Sequence, residues 1–479
     1  MTAIRRRVRL GAGRMVDLAL FLFVMALLAL SLRRPFLAVL AYLYVDIVAP
    51  QKISWHLLAS IPISLITFLA AFGLWLLADP KADSRFTLRQ GLLLVLLAYC
   101  GATTLTADFP VEAAEKWAWV WKALLFAVFL PLTLRTRLRI EAAALFMVLS
   151  AGSIAITGGI KTALTGGGYN ALTFFVADNS GLYEGSIISC VAIAIIPLIL
   201  WLARHGTIYP KSVAVRLFAA ALIFPCPLIP VGTQARTGLL CIGLLGVLML
   251  RTVRRRFLYL GAAAGLALVA VPFLPDSFTQ RMGTIENHRA DQSASTRLAV
   301  WKWTLDYVKD HPLGGGFDAY RSNRLVIETR SAESSGSSTD IETRIVTDQA
   351  RAYHSSYFEM LGEQGWPGLA LWLGLQLSGL WQMEVRRRRG GKRAAAEGAG
   401  PQAQWQAPLA NALQQAQLIY LLGAAFVGIA FQPFILMLIG LQCGLWSYLK
   451  RLDAPAERAP VRRMGQGRIR APAEPAPLA

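Results

Sequence analysis

Residues 183–203 read YEGSIISCVAIAIIPLILWLA. At a helical rise of ~1.5 Å per residue this stretch is long enough to cross the ~30 Å hydrocarbon core of a bilayer. A helix satisfies its own backbone there, so helix is the state such a segment takes in lipid. Similar segments lie near 15–31, 57–78, 90–106, 115–134, 138–158, 213–231, 237–251, 256–274, 366–383, 413–431 and 433–449, with a shorter candidate at 35–49. With 55% hydrophobic and 16% charged residues over 479 positions, the chain is too apolar for an ordinary soluble protein.

The short segment 35–49 decides the parity of the spans. It carries Asp46, which is costly at mid-membrane, so it reads as re-entrant or interfacial and twelve spans are expected. Twelve spans put the basic N-terminus inside and leave Arg33 and Arg34 outside; thirteen would put the N-terminus outside. Arg5, Arg6, Arg7 and Arg9 precede the first segment without a small-residue cleavage site after it, so it reads as a retained helix.

The apolar segments are interrupted by a polar stretch, 275–364, with ten Lys and Arg against thirteen Asp and Glu, in a chain of net charge +20. The positive excess lies in short turns: Arg135, Arg137 and Arg139; Arg251 and Arg254 to Arg256; Arg386 to Arg389 with Lys392 and Arg393; and the tail from Lys450 to Arg470. That pattern argues for cytoplasmic turns and against a nucleic-acid partner, and puts the acidic loop outside the cytoplasm. Cys100, Cys190, Cys226, Cys241 and Cys443 all fall in apolar stretches and read as packing residues.

Within the loop, Leu298, Trp301, Leu305 and Val308 recur at helical spacing, which predicts an amphipathic helix over 296–310 lying on the bundle or the lipid surface. His311-Pro312 and Gly314 to Gly316 end it. Ser331 to Ser338 reads as a mobile flap, and His354 precedes a helix over 355–363 that leads through Gly365-Trp366-Pro367-Gly368 into the next span. Two further outer segments reach the same face: 158–181, with Lys161 and Gly166 to Tyr169, and the turn 231–238. The region 384–412 reads as a flexible cytoplasmic linker and 453–479 as a disordered tail.

Arg236 stands at the outer end of a span, where a guanidinium suits a phosphate with two parallel hydrogen bonds; the alternative is an arginine snorkelling to the interface. His354, between Tyr353 and Ser355, has a neutral neighbourhood in which an imidazole can act as a general base; the alternative is a solvated loop histidine. The loop has no Asp-x-Asp, HExxH or paired cysteines to hold a metal, so arginines and lysine would have to neutralise any diphosphate.

These residues carry a resemblance. Arg236 in Gln-Ala-Arg-Thr-Gly, Arg297-Leu298 followed by Trp301, His311-Pro312-Leu313-Gly314 with Gly316, and His354 followed by Glu359, Glu363 and Gly365 resemble the O-antigen ligase and polymerase superfamily over roughly 140–450. Arg33 to Phe36, Thr165 to Tyr169 and Ala177-Asp178-Asn179 look like the branch labelled exosortase-associated O-glycosylation ligases. Ser355 stands where many relatives have asparagine, and Ser180 where the narrower branch has a second one.

The resemblance implies an all-α polytopic membrane helical bundle of about twelve transmembrane helices with one large helical periplasmic loop. Its parts would be 1–274 and 365–452 in the bacterial inner membrane and 275–364 as the periplasmic catalytic loop. It implies inverting, metal-independent transfer of O-antigen glycan from undecaprenyl diphosphate to lipid A-core, with no cofactor, among membrane lipids and without nucleic acid. Arg236 and Arg297 would hold the diphosphate, His354 would deprotonate the acceptor hydroxyl, and Lys161, Trp301 and Tyr357 would complete the binding set. The competing readings are an O-antigen polymerase, a protein O-oligosaccharyltransferase, and a transporter of lipid-linked glycan that forms no bond.

Overall fold

The computed structural model describes residues 2–54, 56–81, 84–168, 181–251, 258, 261, 265, 292–335, 338–395 and 404–453. The expected span at 256–274, the tail beyond Asp453 and residues 169–180 lie outside the described residues, apart from 258, 261 and 265. The protein is a bundle of α1 (Thr2–Ser31), α2 (Phe36–Val48), α3 (Pro50–Ile53), α4 (Ile63–Ala78), α5 (Leu88–Leu105), α6 (Pro110–Thr133), α7 (Arg137–Thr165), α8 (Gly185–His205), α9 (Val213–Ile223), α10 (Leu228–Gly232) and α11 (Arg236–Leu250). After these come α12 (Gln292–Asp310), the strands β1 (Arg324–Ser335) and β2 (Ser338–Gln349), then α13 (Ser356–Ala395), α14 (Gln406–Ala424) and α15 (Pro433–Asp453). Among the described residues six helical segments are long and apolar enough to cross a membrane, α5 to α8 included, and four further apolar helices are shorter.

Helix starts follow local chemistry. Thr87 and Gln90 form a reciprocal capping box at α5, while Thr136, Glu184 and Ser212 accept from the backbone at the starts of α7, α8 and α9. Pro110 opens α6, where its missing N–H costs nothing. One continuous apolar core runs from Ala38 to Leu449 and includes all five cysteines, which are free and buried.

Two ends of the bundle can be told apart by their contacts. At the basic end Arg139 pairs with Asp79 at 2.6 Å and lies over the Phe36 ring, and Arg137 donates to the His205 carbonyl at 2.7 Å. At the loop end the Tyr183 hydroxyl donates to Val48 at 2.5 Å. Helix α2 therefore runs from one end to the other, and its thirteen residues are mostly buried. This corrects the re-entrant reading of 35–49. Asp17 of α1 accepts from Ser54, His56 and Leu57, just beyond α2, so the N-terminal part of α1 lies at the loop end and Arg33 and Arg34 at the other. The expectation of an N-terminus on the far side from the loop is overturned with it: α2 is shorter than a typical span, and its Asp46 is accommodated inside protein.

Two further expectations change. The loop is not wholly helical: β1 and β2 form a long antiparallel hairpin with Arg324 opposite Gln349 and Ser335 opposite Ser338, so the expected flap forms its distal rungs. In the region read as a flexible linker, α13 continues to Ala395, where Arg386 and Arg393 both pair with Asp453 of α15, and Arg387 and Arg388 pair with Glu384. Residues 396–403 lie outside the described residues.

Candidate active site

α12 forms as predicted and stops at Asp310, before Pro312. Its inward stripe is Val300, Thr304 and Val308, while Leu298 and Leu305 are exposed, so the expected apolar stripe is split between protein and outside. Val300, Leu325 and Tyr353 make a small separate core over which Trp301, Tyr320 and Phe358 close.

The loop docks on the bundle through backbone. Gly315 and Gly316 donate to the carbonyls of Gly362 and Glu363 at 3.1 and 2.9 Å, Trp366 donates to Pro312 at 3.0 Å, and Asp108 donates to Gly315 at 2.9 Å. Gly314 and Gly365 cross in contact with positive φ, where a Cβ on either would strike the other strand's backbone. Gly365 also kinks α13, separating its extramembrane first turns from the long helix beyond.

His354 sits just before α13 with φ 48, a left-handed conformation uncommon outside glycine and frequent at functional sites. Four contacts hold it there. Trp301 donates its indole N–H to the Tyr353 carbonyl at 2.9 Å and stacks on Phe358 at 4.9 Å. The Asn323 amide clamps Arg351 in both directions, at 2.7 and 3.0 Å, closing the hairpin. Ser356 donates to the Val427 carbonyl at 2.9 Å and accepts from Ile429 at 2.8 Å. The Tyr353 ring is buried against Gly362.

Although His354 reaches the surface, its surroundings desolvate the imidazole enough to pull its pKa below the usual value, and the nearby charges of Arg297 and then Arg351 act in the same direction. The ring is therefore neutral near pH 7, as a base must be. Arg297 lies near enough for its charge to act on the His354 imidazole, and Trp301 stands one turn beyond Arg297 on the same helix.

The other expected residues are placed differently. Arg236 begins α11 at the loop end, after a turn in which Gln234 has φ 55. That turn is braced by Gly168 donating to Gly232 at 3.0 Å and by the Ser189 and Thr233 hydroxyls at 3.0 Å, which brings the two outer segments together as expected. α11 packs on α14 and α14 on α13, so α14 stands between the helix that Arg236 begins and the helix that follows His354. Lys161 lies half-buried on the last turn of α7, five residues before Gly166. Tyr357 donates to the Leu421 carbonyl at 3.2 Å and packs edge-on against Trp372, so its side chain is engaged in joining α13 to α14.

Sequence reasoning missed a buried charge cluster beneath His354. Lys116 of α6 lies 2.8 Å from both Glu359 and Glu363 and 3.9 Å from Asp318, with the Phe317 and Phe431 rings around it. Glu363 also accepts from the Asp318 backbone at 3.0 Å, and Glu359 from Ala430 at 3.1 Å. One ammonium faces three carboxylates, and burial raises the pKa of both Glu363 and Asp318. The available signals were a lysine inside an apolar segment and two glutamates four apart on one helix face. Asp318 was not among the motif residues.

Residues 218–373 match the O-antigen ligase family. That similarity covers about a third of the chain. The matched region holds Arg236, Arg297, Trp301, His354 and Tyr357. Residues 15–207 match a second family, of unknown function. No curated protein matches the chain.

Proposed function

We propose that the protein is an inner-membrane glycosyltransferase that moves O-antigen glycan from undecaprenyl diphosphate to a hydroxyl of lipid A-core on the periplasmic face. The observation that carries this reading is His354 in left-handed backbone at the head of α13, on a loop docked to the bundle through Gly315, Gly316 and Trp366, with burial and then the charge of Arg297 lowering the imidazole pKa. The donor is already activated, so the chain has three tasks, which are to place the acceptor in line, to stabilise charge on the departing diphosphate and to accept a proton.

In this mechanism Arg297, joined by Arg236 and Lys161, binds the diphosphate, which a guanidinium fork fits with two parallel hydrogen bonds. His354 takes the proton of the acceptor hydroxyl as the new C–O bond forms at the anomeric carbon and the bond to the diphosphate breaks. Backside attack inverts that carbon. Trp301 acts here through Tyr353, whose carbonyl it holds, and not by direct stacking on sugar. The proposed reaction is metal-independent, with the charges of Arg297, Arg236 and Lys161 in place of a cation at the diphosphate.

Residues 15–207 match a separate family, and a growing glycan or a protein hydroxyl offers the same nucleophile as lipid A-core. The test is purified protein with lipid-linked glycan, offered lipid A-core, a second lipid-linked glycan or a secreted protein in EDTA, with the mass of each acceptor measured. Mass gain on lipid A-core supports the proposal; gain only on another acceptor moves it to that reading. Activity killed by EDTA and restored by magnesium would remove the metal-free mechanism.

A further inference from the structure

The buried cluster at Lys116 is a charged grouping that the transfer mechanism does not use. Its members come from α6 in the bundle, from the turn at Asp318 and from the first two turns of α13. The Glu363 side chain is 1% exposed, and the Lys116 side chain 14%. A buried cation that loses its partners, or carboxylates that lose their cation, are strongly destabilised, so these elements move together or not at all.

The geometry connects that cluster to the site. Glu359 lies one turn and Glu363 two turns after Ser355, whose carbonyl accepts from Glu359 at 2.8 Å. Glu359 also fixes Ala430, next to the Ile429 backbone that Ser356 holds. Glu363 bonds the Asp318 backbone, and its neighbour Gly362 supports the Tyr353 ring. From the other side Trp301 anchors the Tyr353 carbonyl.

We propose that Lys116 is a positioning residue of the transfer site: from the membrane bundle it clamps the start of α13 through Glu359 and Glu363, and so holds His354 within the field of Arg297. This rests on the reading of His354 as the base. Lys116 touches neither substrate nor the reacting atoms.

The test reads His354 directly, without activity. In full-length protein in lipid nanodiscs, the carbethoxylation of His354 by diethylpyrocarbonate is followed by peptide mass spectrometry across pH 5 to 8, a range of about three units around an imidazole. Wild type should titrate below the ordinary value of about 6.5. In Lys116→Met the segment loosens from Arg297 and Arg351, so the midpoint should rise toward that value, and single-turnover transfer should fall about 10- to 100-fold with donor binding unchanged. Lys116→Arg should keep the wild-type midpoint and most of the rate.

A Lys116→Met protein in which His354 titrates as in wild type overturns the proposal, whether transfer is kept or lost, because loss would then reflect stability alone. Should Lys116→Met fail to fold, Glu359→Gln retains the Lys116–Glu363 pair; it should shift the midpoint the same way by less, and no shift overturns the proposal. Wild-type protein whose His354 titrates low and responds to Lys116→Met, yet transfers no glycan to any acceptor, leaves the positioning role standing and removes the glycosyltransfer reading.

Discussion

At His354 a histidine occupies left-handed backbone, which limits what can replace it. Asparagine tolerates that conformation, so His354→Asn tests the base with little backbone penalty. It should leave donor binding and folding intact and lower the transfer rate by about 10² to 10⁴. Equal single-turnover rates in variant and wild type would take His354 out of the mechanism. The second prediction concerns sign. The His354 pKa is lowered, so activity should be full at neutral pH and be lost only as pH falls through a value below the ordinary imidazole range. Arg297→Gln removes one of the positive charges responsible, so this acid limb should move to higher pH, in addition to weaker donor binding. An acid limb that stays in place in Arg297→Gln means the two side chains do not sense each other in solution.

The elements show which features were legible in sequence. α12 and its end, and the start of α13 after His354, follow from apolar spacing and from Pro312, because local rules decide them. The hairpin was hidden by the Ser- and Glu-rich tip, although Thr339, Ile341, Thr343, Ile345 and Thr347 alternate at the period of a strand. Arg297 and His354 were legible as motif residues, and in the fold the charge of Arg297 bears on the His354 imidazole. Lys116 was not: its carboxylate partners lie more than two hundred positions away, and only the folded chain pairs them. The crossing of Gly314 with Gly365 belongs to the same class. Gly365→Ala would place a Cβ at positive φ and against the backbone of Leu313, so the loop should undock. Limited proteolysis should then cut between 311 and 355 faster than in wild type while the bundle stays intact; wild-type cleavage rates would show that the crossing is not what holds the loop.

For the whole molecule the main surprise is the direction of α1. Charge counting puts the basic N-terminus opposite the loop, but Asp17 ties that end of the helix to the turn after α2, at the loop end. The bias toward cytoplasmic arginine is a statistical pressure on insertion, whereas the Asp17 contacts and the through-running α2 are specific. The five native cysteines are buried, so single new ones can be read by impermeant maleimide with little background. Thr2→Cys should label from the same face as Ser335→Cys, and Ala395→Cys from the opposite face. If Thr2→Cys labels together with Ala395→Cys, the described direction of α1 is wrong.

Hydrophobic mismatch gives α11 a meaning beyond its place in the bundle. Its fifteen residues span about 22 Å, while Leu240 and Val247 leave part of its surface uncovered by protein. Set in a bilayer with a core of about 30 Å, such a helix draws the surrounding lipid thinner. Arg236 sits on its outer end, so a phosphate that meets this guanidinium lies below the plane of the neighbouring headgroups. Donor capture should accordingly be faster in vesicles of shorter acyl chains than in thick ones, and Arg236→Ala should lose that preference; the same lipid dependence in both proteins would separate bilayer thickness from Arg236.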